Sequence, residues 1–292
     1  MEQEDRFIQK RLRVQDGLEI AYRDYPPLDP KGRQRRPLVC LAGITRNSSD
    51  FHIPALRWSQ TRRVIAPDMR GRGKSGHDPS GKSYHPEAYI ADIHALLTVL
   101  DIGPAIFCGT SLGGYLITGL AVFLPTAVHS AILNEASPVI DPALVESIRQ
   151  NAAPLTHYRP KDYAEAKATL KERLPHLGLT IETDWDALTE GSYQPDAKGN
   201  LRATWDPLLV KRMDPAPPPE RLWPFFLALK GRPLLLVRGG KSGFVTDETL
   251  AGLQTAHPQM EVVTVPTAGH SPTLKEPNSA AAIDRFLQEQ DR

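Results

Sequence analysis

A serine hydroxyl is a poor nucleophile at neutral pH. It needs a turn that exposes it, a base that takes its proton, and N–H donors aimed at the oxyanion it creates. Gly109-Thr110-Ser111-Leu112-Gly113 has the G-x-S-x-G spacing that supplies the turn. An apolar, strand-like run from Ala105 to Cys108 precedes it. Helix-forming sequence follows, with Leu116, Leu120, Phe123 and Leu124 predicted on one face. A serine between strand and helix sits on a tight, strained bend. Glycines flank it because side chains there would strike the neighbouring strand and helix. The Leu112 amide, at the N-terminus of the new helix, then faces an oxyanion.

The chain has nine histidines for the role of base. His270 is set apart by its place: it follows Gly269 in the turn after a terminal strand, Met260 to Val265, at the sheet edge that carries Ser111. The others are expected on the surface or in loops, with His52 and His157 as further pocket candidates. Met69 to Gly76 mixes glycines with basic residues, but its spacing fits neither phosphate-loop pattern. It reads as a structural turn stabilised by Asp68 and Arg70.

These residues require a sheet to hold them. Leu12–Val14 and Leu18–Tyr22 around Asp16-Gly17 read as a hairpin. Pro37 to Gly43, Arg63 to Asp68, Ala105 to Cys108, Val128 to Leu133, Pro233 to Gly240 and Met260 to Val265 are apolar runs of the kind that form buried parallel strands. Amphipathic helices are predicted over Pro86 to Leu100, Thr246 to Ala256 with Thr246 as N-cap, and Asn278 to Gln288. From Pro138 to about Gly231 the alternation stops. That stretch is proline-rich and holds a helix over Lys161 to Leu174 and scattered aromatics, most of which are expected to form its own small core. It is expected to lie over the strand ends as a lid.

The 292 residues carry a net charge of +1 and 40% hydrophobic residues, as an ordinary globular protein does. This balance gives no reason to expect nucleic-acid or membrane binding, and no apolar run approaches the length of a membrane span. Met1 to Asp5 is acidic and polar, unlike a secretory leader. Cys40 and Cys108 both fall in apolar strands and are expected as buried thiols in a reducing compartment. A cytoplasmic protein, monomeric or homodimeric, is the expectation.

The strand-turn-helix around Ser111, the run Asp68-x-Arg70-Gly71-x-Gly73-x-Ser75 and the late Gly269-His270 together resemble the α/β-hydrolase superfamily, over about residues 12 to 288. The resemblance implies an α/β fold: a mostly parallel central sheet flanked by helices, with a mainly helical cap inserted after the sixth strand. The core would then span 1–137 and 232–292, and the cap 138–231. The family's oxyanion loop usually reads His-Gly after the third strand, where this chain has Ala42-Gly43-Ile44. The donor there is a backbone amide, so the implied hole is formed by Ile44 and Leu112. The family most often places its triad acid after the seventh strand, where Gly243 stands here. Some members carry it after the sixth, where Glu135 stands. Glu135 is therefore the first candidate, with Asp247, Asp141 or no acid at all as alternatives.

The resemblance implies a serine hydrolase acting on a small carboxylic ester or lactone, without metal or organic cofactor. Two other readings are compatible. One is hydrolysis of a carbon–carbon bond in a ring-cleavage product, with Arg46, Asn47 or Arg159 holding a carboxylate. The other is a ligand-binding protein with an impaired triad.

Overall fold

The computed structural model describes residues 6–291. The Met1 to Asp5 stretch read above as unlike a leader lies outside the described residues. β1 (Ile8–Arg13) and β2 (Glu19–Tyr25) form the antiparallel hairpin at one side of the sheet, with strands longer than the sequence suggested. β3 (Leu38–Leu41), α1 (His52–Trp58), β4 (Val64–Pro67), α2 (Pro86–Val99), β5 (Ala105–Thr110), α3 (Leu112–Phe123) and β6 (Val128–Asn134) follow. Every residue of β3 and β4 is buried, as strands covered on both faces must be. β9 (Leu234–Gly239), α9 (Asp247–Ala256), β10 (Glu261–Val265) and α10 (Pro277–Glu289) complete the core. Thr246 caps α9, its hydroxyl accepting from the Thr249 amide.

The eight strands run in the order β1-β2-β4-β3-β5-β6-β9-β10, and β2 pairs antiparallel with both β1 and β4. The remaining pairings are parallel. β3, β5, β6 and β9 therefore end at one edge, where Leu41 pairs with Gly109, Thr110 with Asn134, and Asn134 with Val237. Alternate strand residues feed two cores. Val39, Ile65, Phe107 and Leu133 pack against α2 and α3, while Leu38, Val64, Ile106 and Ile132 pack against α1 and α10.

α3 departs from its predicted face. Leu116 and Leu120 are buried, but Phe123 is 57% exposed and meets Phe225 at 6.2 Å. The last turn of α3 runs past the edge of the core, so helical periodicity overstated its burial. Cys40 and Cys108 are register partners on β3 and β5, and both are free and buried. Burial pushes the Cys108 thiol up to about 12, so it stays protonated and inert. Among the described residues, no helix is long and apolar enough to cross a membrane.

Between β6 and β9 the chain forms α4 (Pro142–His157), α5 (Tyr163–Arg173), α6 (Glu182–Ser192), the short hairpin of β7 (Tyr193–Pro195) and β8 (Leu201–Ala203), α7 (Pro207–Lys211) and α8 (Pro219–Leu227). Leu155, Leu170, Trp185, Tyr193 and Trp205 form a core of its own. Trp223 and Phe226 do not join it. They pack with the main core, because α8 lies on α3.

Candidate active site

Ser111 lies between β5 and α3 with φ 50° and ψ −115°, a conformation that costs a non-glycine residue energy and turns the chain sharply. Its amide donates to the Asn134 carbonyl at 2.9 Å, and its carbonyl accepts from Gly114 at 2.8 Å. A Cβ on Gly113 would collide with the Leu41 carbonyl, so only glycine lets the elbow lie this close to β3. Leu112 opens α3, and the first amides of a helix have no intrahelical acceptor.

His270 follows β10 and is 8% exposed. Its amide donates to the His176 carbonyl at 3.0 Å, and the Gly269 amide to the Leu177 carbonyl at 3.2 Å. A 3₁₀ turn of the insertion, Pro175–Leu177, is thereby fastened to the histidine loop. Gly269 permits this, since a Cβ there would run into the His176 carbonyl.

The carboxylate that meets His270 belongs to Glu135. This residue follows β6 at φ 53° and is fully buried. Its Oε2 lies 3.2 Å from His270 Nδ1 and also accepts from the Ser242 hydroxyl. Its Oε1 accepts from the Gly239 amide at 2.7 Å. The other acid candidates lie elsewhere. Asp247 has a 92% exposed side chain and pairs with Arg238 Nη1 at 2.6 Å. Asp141 caps α4 by accepting from the Ala143 amide.

Ser111, His270, Gly43 and Ile44 line one cavity of about 190 Å³. The insertion closes it with aliphatic groups, Leu155, Leu170, Leu174 and Leu188 among them. Ile44 sits on a braced loop: its carbonyl accepts from Arg72 Nε at 2.5 Å, and the Ser48 amide donates to Asp68 Oδ1 at 2.8 Å. Asp68 also ties the Met69–Gly76 turn as expected, its Oδ2 accepting from the Lys74 amide at 2.8 Å. Arg70 instead binds Asp92 through two nitrogens and Asp16 at 2.7 Å.

The expected carboxylate-binding side chains are engaged otherwise. Arg46 lines the cavity but is held by Asp50 and Ser192. Asn47 is buried and donates to the Gly191 carbonyl at 2.8 Å. Arg159 binds the Tyr158 carbonyl at 2.9 Å. His52 pairs with the Tyr25 hydroxyl at 3.1 Å, and the histidine that reaches the cavity wall from the insertion is His176. Burial and the neighbouring His270 lower the His176 pKa, so it is neutral at neutral pH.

Sequence reasoning missed His176, Ser242, Phe244 and Asn134. Phe244 stacks on the His270 ring at 3.5 Å and 14°. Asn134 Nδ2 donates to Thr110 Oγ1 at 3.1 Å and to the Pro272 carbonyl at 2.9 Å, so one side chain joins the serine and histidine segments. Its place next to Glu135 at a strand end was the available signal.

The alpha/beta hydrolase family model matches residues 38–283. A 3-hydroxybutyrate-oligomer hydrolase of Cupriavidus necator is 30% identical over 279 residues, 92% of each chain. A 2-(acetamidomethylene)succinate hydrolase of Mesorhizobium japonicum is 30% identical over 290 residues, 97% of this chain and 96% of the relative. The crystal structure of an alpha/beta hydrolase from Novosphingobium aromaticivorans superposes with a TM-score of 0.88 at 33% identity, covering 97% of this chain and 98% of the other. Sheet order, elbow and relatives agree, and the chain belongs to the alpha/beta hydrolase family.

Proposed function

We propose that this hydrolase cleaves a carboxylic ester or lactone through an acyl-enzyme on Ser111. The observation that carries the reading is the meeting of three segments at one cavity: the strained Ser111 elbow, His270, and the buried Glu135 carboxylate on His270 Nδ1. With Nδ1–H donated to Glu135, Nε2 is the basic nitrogen, as a general base for Ser111 requires. Ser111 Oγ attacks the carbonyl carbon while His270 takes its proton. The oxyanion is held by the Ile44 and Leu112 amides. Collapse expels the alkoxide, which takes the proton back from His270. Water then attacks the acyl-enzyme, gives its proton to His270, and the acid leaves as Ser111 is reprotonated.

The aliphatic wall and the cavity of about 190 Å³ favour a short, neutral acyl group. The likeness to a 3-hydroxybutyrate-oligomer hydrolase supports esters of short hydroxy acids as the substrate class. Carbon–carbon hydrolysis of an anionic substrate is the weaker reading, because Arg46 is already neutralised by Asp50. Binding without turnover is weaker too, since a carboxylate does stand on His270.

The test is hydrolysis of p-nitrophenyl acetate, butyrate, hexanoate and decanoate, with short 3-hydroxybutyrate oligomers beside them. Turnover that peaks among the shorter chains and disappears in Ser111→Ala supports the reading. Undiminished turnover in Ser111→Ala overturns it.

A further inference from the structure

The loop after β9 is where the family most often keeps its acid, and here Gly243 occupies that place. The loop is nevertheless built onto the acid-base pair. Gly240 N–H donates to the Val265 carbonyl at 2.8 Å and Lys241 N–H to the Ala268 carbonyl at 2.9 Å, which fix the loop to the segment carrying His270. From that fixed backbone, Ser242 Oγ donates to Glu135 Oε2, the same oxygen that His270 Nδ1 approaches at 3.2 Å. The Ser242 oxygen in turn accepts from the Phe244 amide at 3.1 Å, and this aims its proton away from Phe244 and toward the carboxylate. The Phe244 ring then covers one face of the imidazole.

We infer that Ser242 is a positioning residue for the reaction, acting through Glu135 on His270, and that Phe244 completes the same clamp. The inference rests on the proposed Ser111–His270–Glu135 reading. A glutamate has one more rotatable bond than an aspartate, and from β6 it reaches His270 across the end of β9. Two donors from the β9 loop, the Gly239 amide on Oε1 and the Ser242 hydroxyl on Oε2, hold the carboxylate plane at both oxygens. Without the hydroxyl, the β9 side holds the carboxylate at Oε1 alone, and Oε2 keeps only His270 Nδ1. The carboxylate then rotates off Nδ1 for part of the time, and the imidazole loses the tautomer and orientation that a base needs. The loop offers the imidazole no carboxylate of its own and frames the one that does meet it.

The experiment is steady-state hydrolysis of p-nitrophenyl butyrate by the full chain as wild type, Ser242→Ala, Ser242→Thr, Glu135→Gln and Glu135→Gln/Ser242→Ala. Ser242→Ala is expected to lower kcat about tenfold with KM within about twofold, the scale of one lost hydrogen bond to a charged group. Ser242→Thr is expected to restore most of the rate. In the Glu135→Gln background, Ser242→Ala is expected to change nothing further, because the carboxylate it served is gone. Phe244→Leu is expected to lower kcat, again with little change in KM. A wild-type kcat in Ser242→Ala beside an impaired Glu135→Gln overturns the role of Ser242 and leaves the triad reading standing. An equal loss on adding Ser242→Ala to either background also overturns it, since that marks a merely structural side chain. A wild-type rate in Glu135→Gln overturns the acid assignment itself and this inference with it.

Discussion

Replacing Glu135 by Gln with the amide oxygen kept on the Gly239 N–H places the NH₂ group where Oε2 stood, beside both the Ser242 hydroxyl and His270 Nδ1. An NH₂ facing Nδ1 forces that nitrogen to accept. The proton then sits on Nε2, and the base is lost. Glu135→Gln is therefore expected to lower kcat by about 10⁴-fold, the scale seen when a triad acid is made an amide. Circular dichroism and urea unfolding should stay close to wild type, and a variant retaining a tenth of the rate would exclude this role. Ser111 and His270 were legible in the sequence because their neighbours announce them: glycines on either side of the serine and one before the histidine. Glu135 was legible only as one of several acids, because a carboxylate carries no local signature. What selects it is the left-handed turn after β6 and the Gly239 amide, both products of the fold. Ser242 and Phe244 were invisible for the same reason. A search of that loop for a carboxylate passes over a hydroxyl that serves one.

At the scale of elements, the buried strands and the order of helices were readable from apolar runs and caps. The insertion's division of labour was not, because its aromatics look alike in sequence. Trp185 and Trp205 fill its own core, whereas Trp223 and Phe226 belong to the main core. The support beneath Ile44 was equally hidden. Arg72 is fully buried and spends its guanidinium on the Ile44 and Arg70 carbonyls and the face of Tyr89, 4.7 Å away. Arg72→Met leaves the buried Arg70 carbonyl and the part-buried Ile44 carbonyl without this donor, at a cost on the order of 1–3 kcal/mol. Urea unfolding is expected to show that loss, and kcat should fall with it as the loop proposed to hold the oxyanion loosens. A stable variant with full kcat would mean the loop holds itself. On the proposed ester reading, the aliphatic wall that shares the cavity with this loop sets chain length. Leu188 of α6 is only partly buried, so Leu188→Ala is expected to enlarge the cavity at modest cost in stability and move the acyl optimum to longer chains. An unchanged chain-length profile would place the acyl group elsewhere.

For the whole molecule, three histidines with lowered pKa link stability to pH just below neutrality. Burial lowers the pKa of His77, of His129 and of His176. The Asp206 carboxylate opposes this at His77, Arg36 adds to it at His129, and His270 adds to it at His176. In the unfolded chain each returns to about 6.5, so on acidification the unfolded state takes up protons first. Stability is therefore complete above that value and falls as the pH drops through it toward the lower folded values. Asp24 acts in the same direction at lower pH: burial raises its pKa, but Arg63 and Lys10 outweigh it and hold the carboxyl below its ordinary range. Its contribution is lost only at lower pH, below about 3.9, where the unfolded carboxylate protonates. The two windows are separate, which makes the histidine part measurable. The melting temperature is expected to fall between pH 7 and 5. His77→Gln combined with His129→Gln should reduce that slope while leaving the melting temperature at pH 7 nearly unchanged. His176 is left intact in this variant because it lines the cavity, so the residual slope reports the histidine that faces His270. A slope undiminished by the two substitutions would show that neither His77 nor His129 carries the acid sensitivity in this range.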